Sequence, residues 1–261
     1  MRLPQGFLIR PIAHRGLHDR SAGRIENSIA AFEAAMARGY AIELDTQLSA
    51  DGVPMAFHDA RLDRLTDATG PVDGLTADAL SRLPLRGGRD GIPRLAEVLD
   101  HVAGRVPLLI EIKDRDGDMG PDVGPLERAV IAALDGYAGD VAVMSFNPHS
   151  VACFRDEAPH LPRGLVTAAF RARTWPHLTE ATRERLAGIP DLDRVGAGFV
   201  SHEAEALDMP RIAEIKAAGL PVLCWTVRSA AQEAMVRRIA DGVTFEGYLP
   251  EPGMAPPVPH E

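Results

Sequence analysis

Apolar residues along this chain collect in eight short runs, placed near positions 9, 41, 107, 141, 164, 197, 221 and 243. Short uninterrupted apolar runs bounded by turn residues mark strands buried on both faces, as in a parallel sheet. The stretches between them carry apolar residues three or four apart and read as helices. Asn27 is expected to cap one that presents Ile29, Phe32 and Met36 and closes at Gly39. Arg94 to Ala103 forms another, with Leu95, Val98, Leu99 and Val102 inward. Further helices are predicted from Pro148, around Thr179 to Leu186, over Met209 to Ala218 and over Ala230 to Ile239. Eight such units in roughly 250 residues have the size and rhythm of an α/β (β/α)8 TIM barrel, whose functional groups gather at the C-terminal strand ends. A doubly wound open sheet competes with this, but no Gly-rich dinucleotide loop follows the first run. The expected organisation is one barrel domain over residues 1–250, followed by a mobile Pro-rich tail, 251–261.

The alternation departs from the simple pattern between Ala41 and Asp59. AIELDTQLSADGVPMAFHD reads as a strand, a turn at Asp51-Gly52 and a returning strand, a hairpin extending from strand 2. A two-residue turn makes Ala50 face Val53 and sets Asp45 opposite His58. Glu43, two residues before Asp45, leaves the same face. Residues 60–92 hold turns and the short helical segment TADALSRL, look polar, and are expected to cover the mouth of the barrel.

Composition narrows the function. There are 37 acidic against 28 basic residues, a net charge of -9, which argues against a nucleic-acid surface and requires local positive groups for any anionic substrate. Only two lysines occur, Lys113 and Lys216, so the place of each is informative. Cys153 and Cys224 are too few for a disulfide framework and read as buried thiols of a reducing compartment. No apolar run is long enough for a signal peptide or a membrane span. The expectation is a cytoplasmic protein without stable membrane insertion; the oligomeric state is not legible.

The chemistry-bearing residues sit at strand ends. His14 and Arg15 end the first strand, Glu43 and Asp45 the second, and Glu111 and Lys113 occupy alternate positions at the end of VPLLIEI. A carboxylate inside such an apolar run costs several kcal/mol unless it is paired or binds a metal. Three carboxylates suit one hard divalent cation, Mg2+ or Ca2+ with Mn2+ possible, better than zinc. Arg15, Lys113 and the cation would hold an anion, and His14 and His58 remain to move protons at neutral pH. Trp225, a strand-end aromatic, reads as a wall for part of the substrate. Glu26 and Asn27 read as structural, and His18, His149, His160, His177 and His202 have no partner that the sequence names.

HRG at 14–16, EN at 26–27, ELD at 43–45, DG at 51–52, HD at 58–59, LDRLT at 62–66, IPRLAEVL at 92–99, IEIK at 110–113, SF at 145–146 and WTV at 225–227 resemble the glycerophosphodiester phosphodiesterase family. The likeness spans nearly the whole chain. It implies a barrel, a divalent metal on Glu43, Asp45 and Glu111, catalytic His14 and His58, and phosphate contacts from Arg15 and Lys113. It also implies hydrolysis of a small glycerophosphodiester to glycerol 3-phosphate and an alcohol, a step of lipid metabolism. One departure is visible: the family commonly ends its last strand with a Thr-Asp-Tyr-Pro-like turn, whereas this chain reads Thr244-Phe245-Glu246-Gly247-Tyr248-Leu249-Pro250. Two other readings compete. A lysophospholipase D-like phosphodiesterase needs a large apolar mouth, and a barrel that binds phosphorylated ligands without turnover needs neither histidine.

Overall fold

In the computed structural model, which describes residues 2–252, eight parallel strands close into a barrel. They are β1 (Ile12–Ala13), β2 (Ala41–Leu48), β4 (Leu108–Ile112), β5 (Val141–Ser145), β6 (Arg163–Thr167), β7 (Phe199–Glu203), β8 (Val222–Val227) and β9 (Gly242–Phe245), with β3 (Pro54–Ala56) antiparallel on β2. Closure is made by the two residues of β1, where Ile12 pairs with both Ala41 and Thr244. Of the expected tail, only Glu251 and Pro252 lie within the described residues, and both are exposed.

The first strand is shorter than its apolar run suggests. Gly6–Ile9 forms a helical turn, α1, and only Ile12 and Ala13 pair. Phe7 is apolar because it is fully buried, packed with Leu3, Ile12, Leu109, Phe199 and Leu223 in the barrel interior. Periodicity does not separate a buried helical turn from a buried strand over so few residues. Higher in the barrel, the Phe199 ring occupies the space that a side chain on β6 would need: a Cβ on Gly164 would lie 2.5 Å from that ring.

The outer layer is built from α2 (Ile29–Ala37), α4 (Leu95–Val102), α5 (Pro125–Ala133), α6 (Pro148–Glu157), α7 (Glu180–Ala187), α8 (Leu192–Val195), α9 (Pro210–Ala217) and α10 (Ala230–Val236). In α4 the apolar spacing is realised as expected, with Leu95, Val98, Leu99 and Val102 all buried. Each contributes about 2 kcal/mol of apolar burial. The cap of α2 is Ser28, whose hydroxyl accepts from Ala31 N, and not Asn27, which sits at φ 56° with its side chain turned elsewhere.

The hairpin differs from expectation by one residue. Thr46 pairs with Ala56, Gln47 with Met55 and Leu48 with Pro54. Gly52 N donates to Ser49 O and Ser49 N to Val53 O, so the loop is Ala50, Asp51 and Gly52. Such a loop places only its last residue in the left-handed region, here Gly52 at φ 79°. Asp51 is occupied otherwise: its Oδ1 accepts from Ser49 Oγ and from Ala77 N at the start of α3 (Ala77–Arg82). The shift makes Phe57, not His58, the neighbour of Asp45, with Phe57 N donating to Asp45 O at 3.0 Å.

Residues 60–92 are also not the polar cover that was expected. Leu62, Leu65, Val72, Leu80, Leu85 and Ile92 pack with Met55, Phe57 and Ile25 into a core of their own. These side chains pack mainly against one another beneath the surface, and of them Val72 also lines a cleft beside the hairpin.

On the outward face of β7, shared with Val200, His202 is fully buried. Its Nε2–H donates to Ala206 O (3.1 Å) and its Nδ1 accepts from the Thr167 hydroxyl (2.7 Å), because a carbonyl only accepts. Burial lowers its pKa to about 4, from an unfolded value of 6.5. The unfolded chain therefore binds the extra proton across that window, so the stability this group supplies is complete above 6.5 and lost as pH falls towards 4. We expect the stability gap between the parent and His202→Gln to narrow by about 3 kcal/mol on acidification through that range. Chemical denaturation at both ends of the window measures it, and an unchanged gap would rule out the neutral buried imidazole.

Candidate active site

Register builds the centre of the site. Asp45 on β2 lies beside Glu111 on β4, and Glu43 is one pleat below Asp45 on the same inward face. The three carboxylates are buried, each offering an oxygen within 4.8 Å of the others, and they are the group of this kind found among the described residues. Lys113, two residues beyond Glu111, brings Nζ to Glu111 Oε1 (2.5 Å) and to Asp45 Oδ1 (2.8 Å). Arg15 follows β1 at φ 55°, a conformation that directs its backbone N–H to Glu43 Oε2 (2.8 Å) while its Nε approaches Asp45 Oδ2 (3.2 Å).

Charge is unevenly distributed over this cluster. Burial alone would raise the Asp45 pKa, but Lys113, His58 and Arg15 outweigh it and hold the carboxyl well below its usual range. Glu43 goes the other way, pushed well up by burial and then by Asp45 and Glu111. Lys113 is held above its ordinary value by Asp45 and Glu111 despite its burial. Glu43 Oε1 is buried and accepts no hydrogen bond. A hard divalent cation fits such a set: three oxygen donors, an excess of negative charge, and an acceptor without a partner.

The two histidines flank this centre. His14 Nε2 lies 4.0 Å from Glu43 Oε2, and its Nδ1 donates to Glu246 Oε2 at 2.6 Å. Burial is the largest influence on His14 and lowers its pKa in spite of Glu246. His58 emerges just past β3, its carbonyl accepting from Gln47 Nε2 and its Nδ1 donating to Asp59 Oδ1 (2.7 Å). Both rings line a cavity of about 180 Å³ together with Arg15, Glu43, Glu111, Lys113 and Trp225. Asp45 is the one residue of the expected set that does not line it, lying under Arg15 and Lys113. Trp225 donates from Nε1 to Ser201 O and meets the Phe146 ring edge-on at 5.4 Å. A larger cleft of about 610 Å³ opens alongside, between the hairpin and the segment after β4. It reaches Lys113 but neither histidine, so the chemistry belongs to the smaller cavity.

Several participants were not expected. Asn27 donates from Nδ2 to Asp45 Oδ2 (2.9 Å) and accepts from Asp45 N (3.1 Å), so it orients a carboxylate of the cluster. Glu26 bridges Arg15 and Arg64, and these two arginines bring its pKa down to about 2 against the effect of burial. Arg64 in turn donates to both oxygens of Asp59. The adjacency of Glu26 to Asn27 and of Asp59 to His58 was a signal in the sequence, and Arg64 lies within the LDRLT motif at 62–66, but nothing local paired Arg64 with Glu26 and Asp59.

A model of the glycerophosphoryl diester phosphodiesterase family matches residues 14–246. The chain belongs to that family. Among its relatives, a glycerophosphodiester phosphodiesterase of Caldanaerobacter subterraneus is 31% identical, over 89% of this chain and 91% of that protein. One from Bacillus subtilis is 29% identical over 94% and 87%. The fold is that of an Oleispira antarctica phosphodiesterase solved with the product sn-glycerol-3-phosphate (TM-score 0.74, 24% identity, 93% of both chains). It is also that of a glycerophosphodiester phosphodiesterase from Agrobacterium tumefaciens (TM-score 0.63, 26% identity, 91% and 94%). The family match begins at His14 and ends at Glu246, the pair that hydrogen-bonds across the closing strands.

Proposed function

We propose that this family member hydrolyses small glycerophosphodiesters to glycerol 3-phosphate and an alcohol, with one divalent cation on Glu43, Asp45 and Glu111. The observation that carries the reading is the buried carboxylate triad, two of whose members, Glu43 and Glu111, line the same cavity as two histidines and two cationic side chains. The cation, Mg2+ or Ca2+ with Mn2+ as a further choice, would supply Lewis-acid polarisation of the phosphoryl group. Arg15 and Lys113 bind the non-bridging oxygens, and Trp225 walls the glycerol or alcohol part.

His14 serves as base. Its Nδ1–H is committed to Glu246, which leaves Nε2 unprotonated on the Glu43 side of the cavity. The lowered pKa of His14 keeps the ring neutral at neutral pH, as a base requires. Nε2 takes the proton of the attacking oxygen, either water or the 2-hydroxyl of the substrate's glycerol; in the second case a cyclic phosphate forms, and water then opens it to glycerol 3-phosphate. His58, its Nδ1 held by Asp59, gives the proton that the departing alcohol oxygen needs. Free Cys153 and Cys224 fit a reducing compartment such as the cytoplasm. Among the described residues no helix is long and apolar enough to cross a membrane.

The test is incubation with a panel of glycerophosphodiesters in the presence of Mg2+ and of Ca2+, coupled to detection of glycerol 3-phosphate. Release from at least one is expected. Silence with the whole panel, while phosphorylated ligands still bind, would turn the reading into one of binding without turnover.

A further inference from the structure

The carboxylate that holds His14 is itself held. Glu246 follows β9 directly, and its backbone N donates to Val227 O (3.0 Å), while His14 N donates to Phe245 O (3.0 Å). Both partners of the His14–Glu246 bond are thus fixed by the sheet. The second oxygen, Glu246 Oε1, accepts from Arg228 Nε at 2.8 Å, with Arg228 Nη2 at the same distance. Arg228 lies in the turn after β8, where its own N donates to Gln232 Oε1 and its Nη1 to Thr226 O. His18 Nε2 stands 3.8 Å from Glu246 Oε2. The hydrogen bond from His14, with His18 and Arg228 nearby, holds the Glu246 carboxyl well below its usual range, so it is an acceptor only.

His58 repeats the construction on the opposite flank. Asp59 accepts from His58 Nδ1, and Arg64 donates to both Asp59 oxygens. Each histidine therefore has a carboxylate on Nδ1 and an arginine behind that carboxylate, supplied by unrelated parts of the chain.

We propose that Glu246, anchored by Arg228, is the positioning residue for His14: it fixes the ring rotation and the tautomer that leaves Nε2 free to take a proton. The inference rests on the assignment of His14 as a proton-transfer group. An imidazole without a partner on Nδ1 distributes its proton between both nitrogens and rotates about Cβ–Cγ. Glu246, which does not line the cavity, removes both freedoms.

A residue that acts only through His14 loses its effect when His14 is gone, whereas one that supports the fold does not. Glu246→Ala, His14→Ala and the double variant are compared with the parent on glycerol 3-phospho-p-nitrophenol, whose coloured product reports low rates. Glu246→Ala is expected to lower kcat by about 10²-fold with KM little changed, and Glu246→Gln, which retains an acceptor, to recover part of that. In the His14→Ala background the same change should cost less than about threefold. A loss below about threefold in the parent, or a loss that multiplies with that of His14→Ala, overturns the inference. If Glu246→Ala does not fold, judged by thermal unfolding, the cycle is run with Glu246→Gln. An inactive parent would instead overturn the proposed hydrolysis itself.

Discussion

Exhaustive removal of divalent cations is expected to lower glycerophosphodiester hydrolysis by at least about 10³-fold, since Lewis-acid polarisation is worth several kcal/mol and each 1.4 kcal/mol is tenfold. Added Mg2+, Mn2+ or Ca2+ should restore it to different extents. No side chain can take over that work: Arg15 and Lys113 are already neutralised by Asp45, Glu26 and Glu111. Their attraction for a phosphate is correspondingly shared.

The same cluster predicts opposite stability effects within the metal-free protein. Glu43→Gln should raise its melting temperature. Glu43 has the raised pKa, so its cost to folding appears as pH rises above the unfolded value of 4.5, where the unfolded chain has already released the proton. Asp45→Asn should lower the melting temperature, because Lys113 and Arg15 would lose their common partner inside the barrel. Scanning calorimetry after chelation reads both. Full turnover in protein shown by metal analysis to be free of cations would remove the triad from the mechanism.

The second large effect separates the two histidines. His58→Ala should lose about 10²- to 10⁴-fold on glycerophosphocholine and recover most of it on glycerol 3-phospho-p-nitrophenol, whose leaving group is stable as an anion. His14→Ala should lose a similar factor on both substrates, because the attacking oxygen needs a base whatever departs. The structure adds a reason to assign the roles this way, since burial lowers the His14 pKa and so favours the neutral ring that a base requires. The reverse pattern would exchange the roles. Equal deficits on both substrates in both variants would mean that neither ring is the acid.

The barrel and the centre of the site were legible because each left a local trace. Glu43, Asp45 and Glu111 stood out as carboxylates in apolar runs that had no reason to carry them. The hairpin register was not legible, because Asp-Gly satisfies a two-residue turn and a three-residue loop equally, and Asp51's bond to Ala77 N, which accompanies the longer loop, lies 26 residues on. Asn27 was hidden by its composition: it precedes an apolar helix as a cap would, but Ser28 is the cap. Leu62 and Leu65 read as belonging to a polar cover because the surface they pack on, Met55 and Phe57, comes from the hairpin. Glu246 was noticed only as a departure from the family's usual turn. Its partner is 232 residues away, and only closure of the barrel joins them.

That closure has a consequence for the chain as it is being made. His14, Glu43, Asp45, His58, Glu111 and Lys113 all lie within the first half of the sequence. A ribosome has therefore released nearly every group of the site long before β9 exists. Until Phe245 and Glu246 emerge, β1 has one bare edge, His14 N lacks its acceptor, and the ring's Nδ1 has nothing to bind. On the proposed role of Glu246, chemistry is thereby tied to completion: unfinished chains, and chains clipped before their last strand, would carry the groups of a hydrolase without its competence.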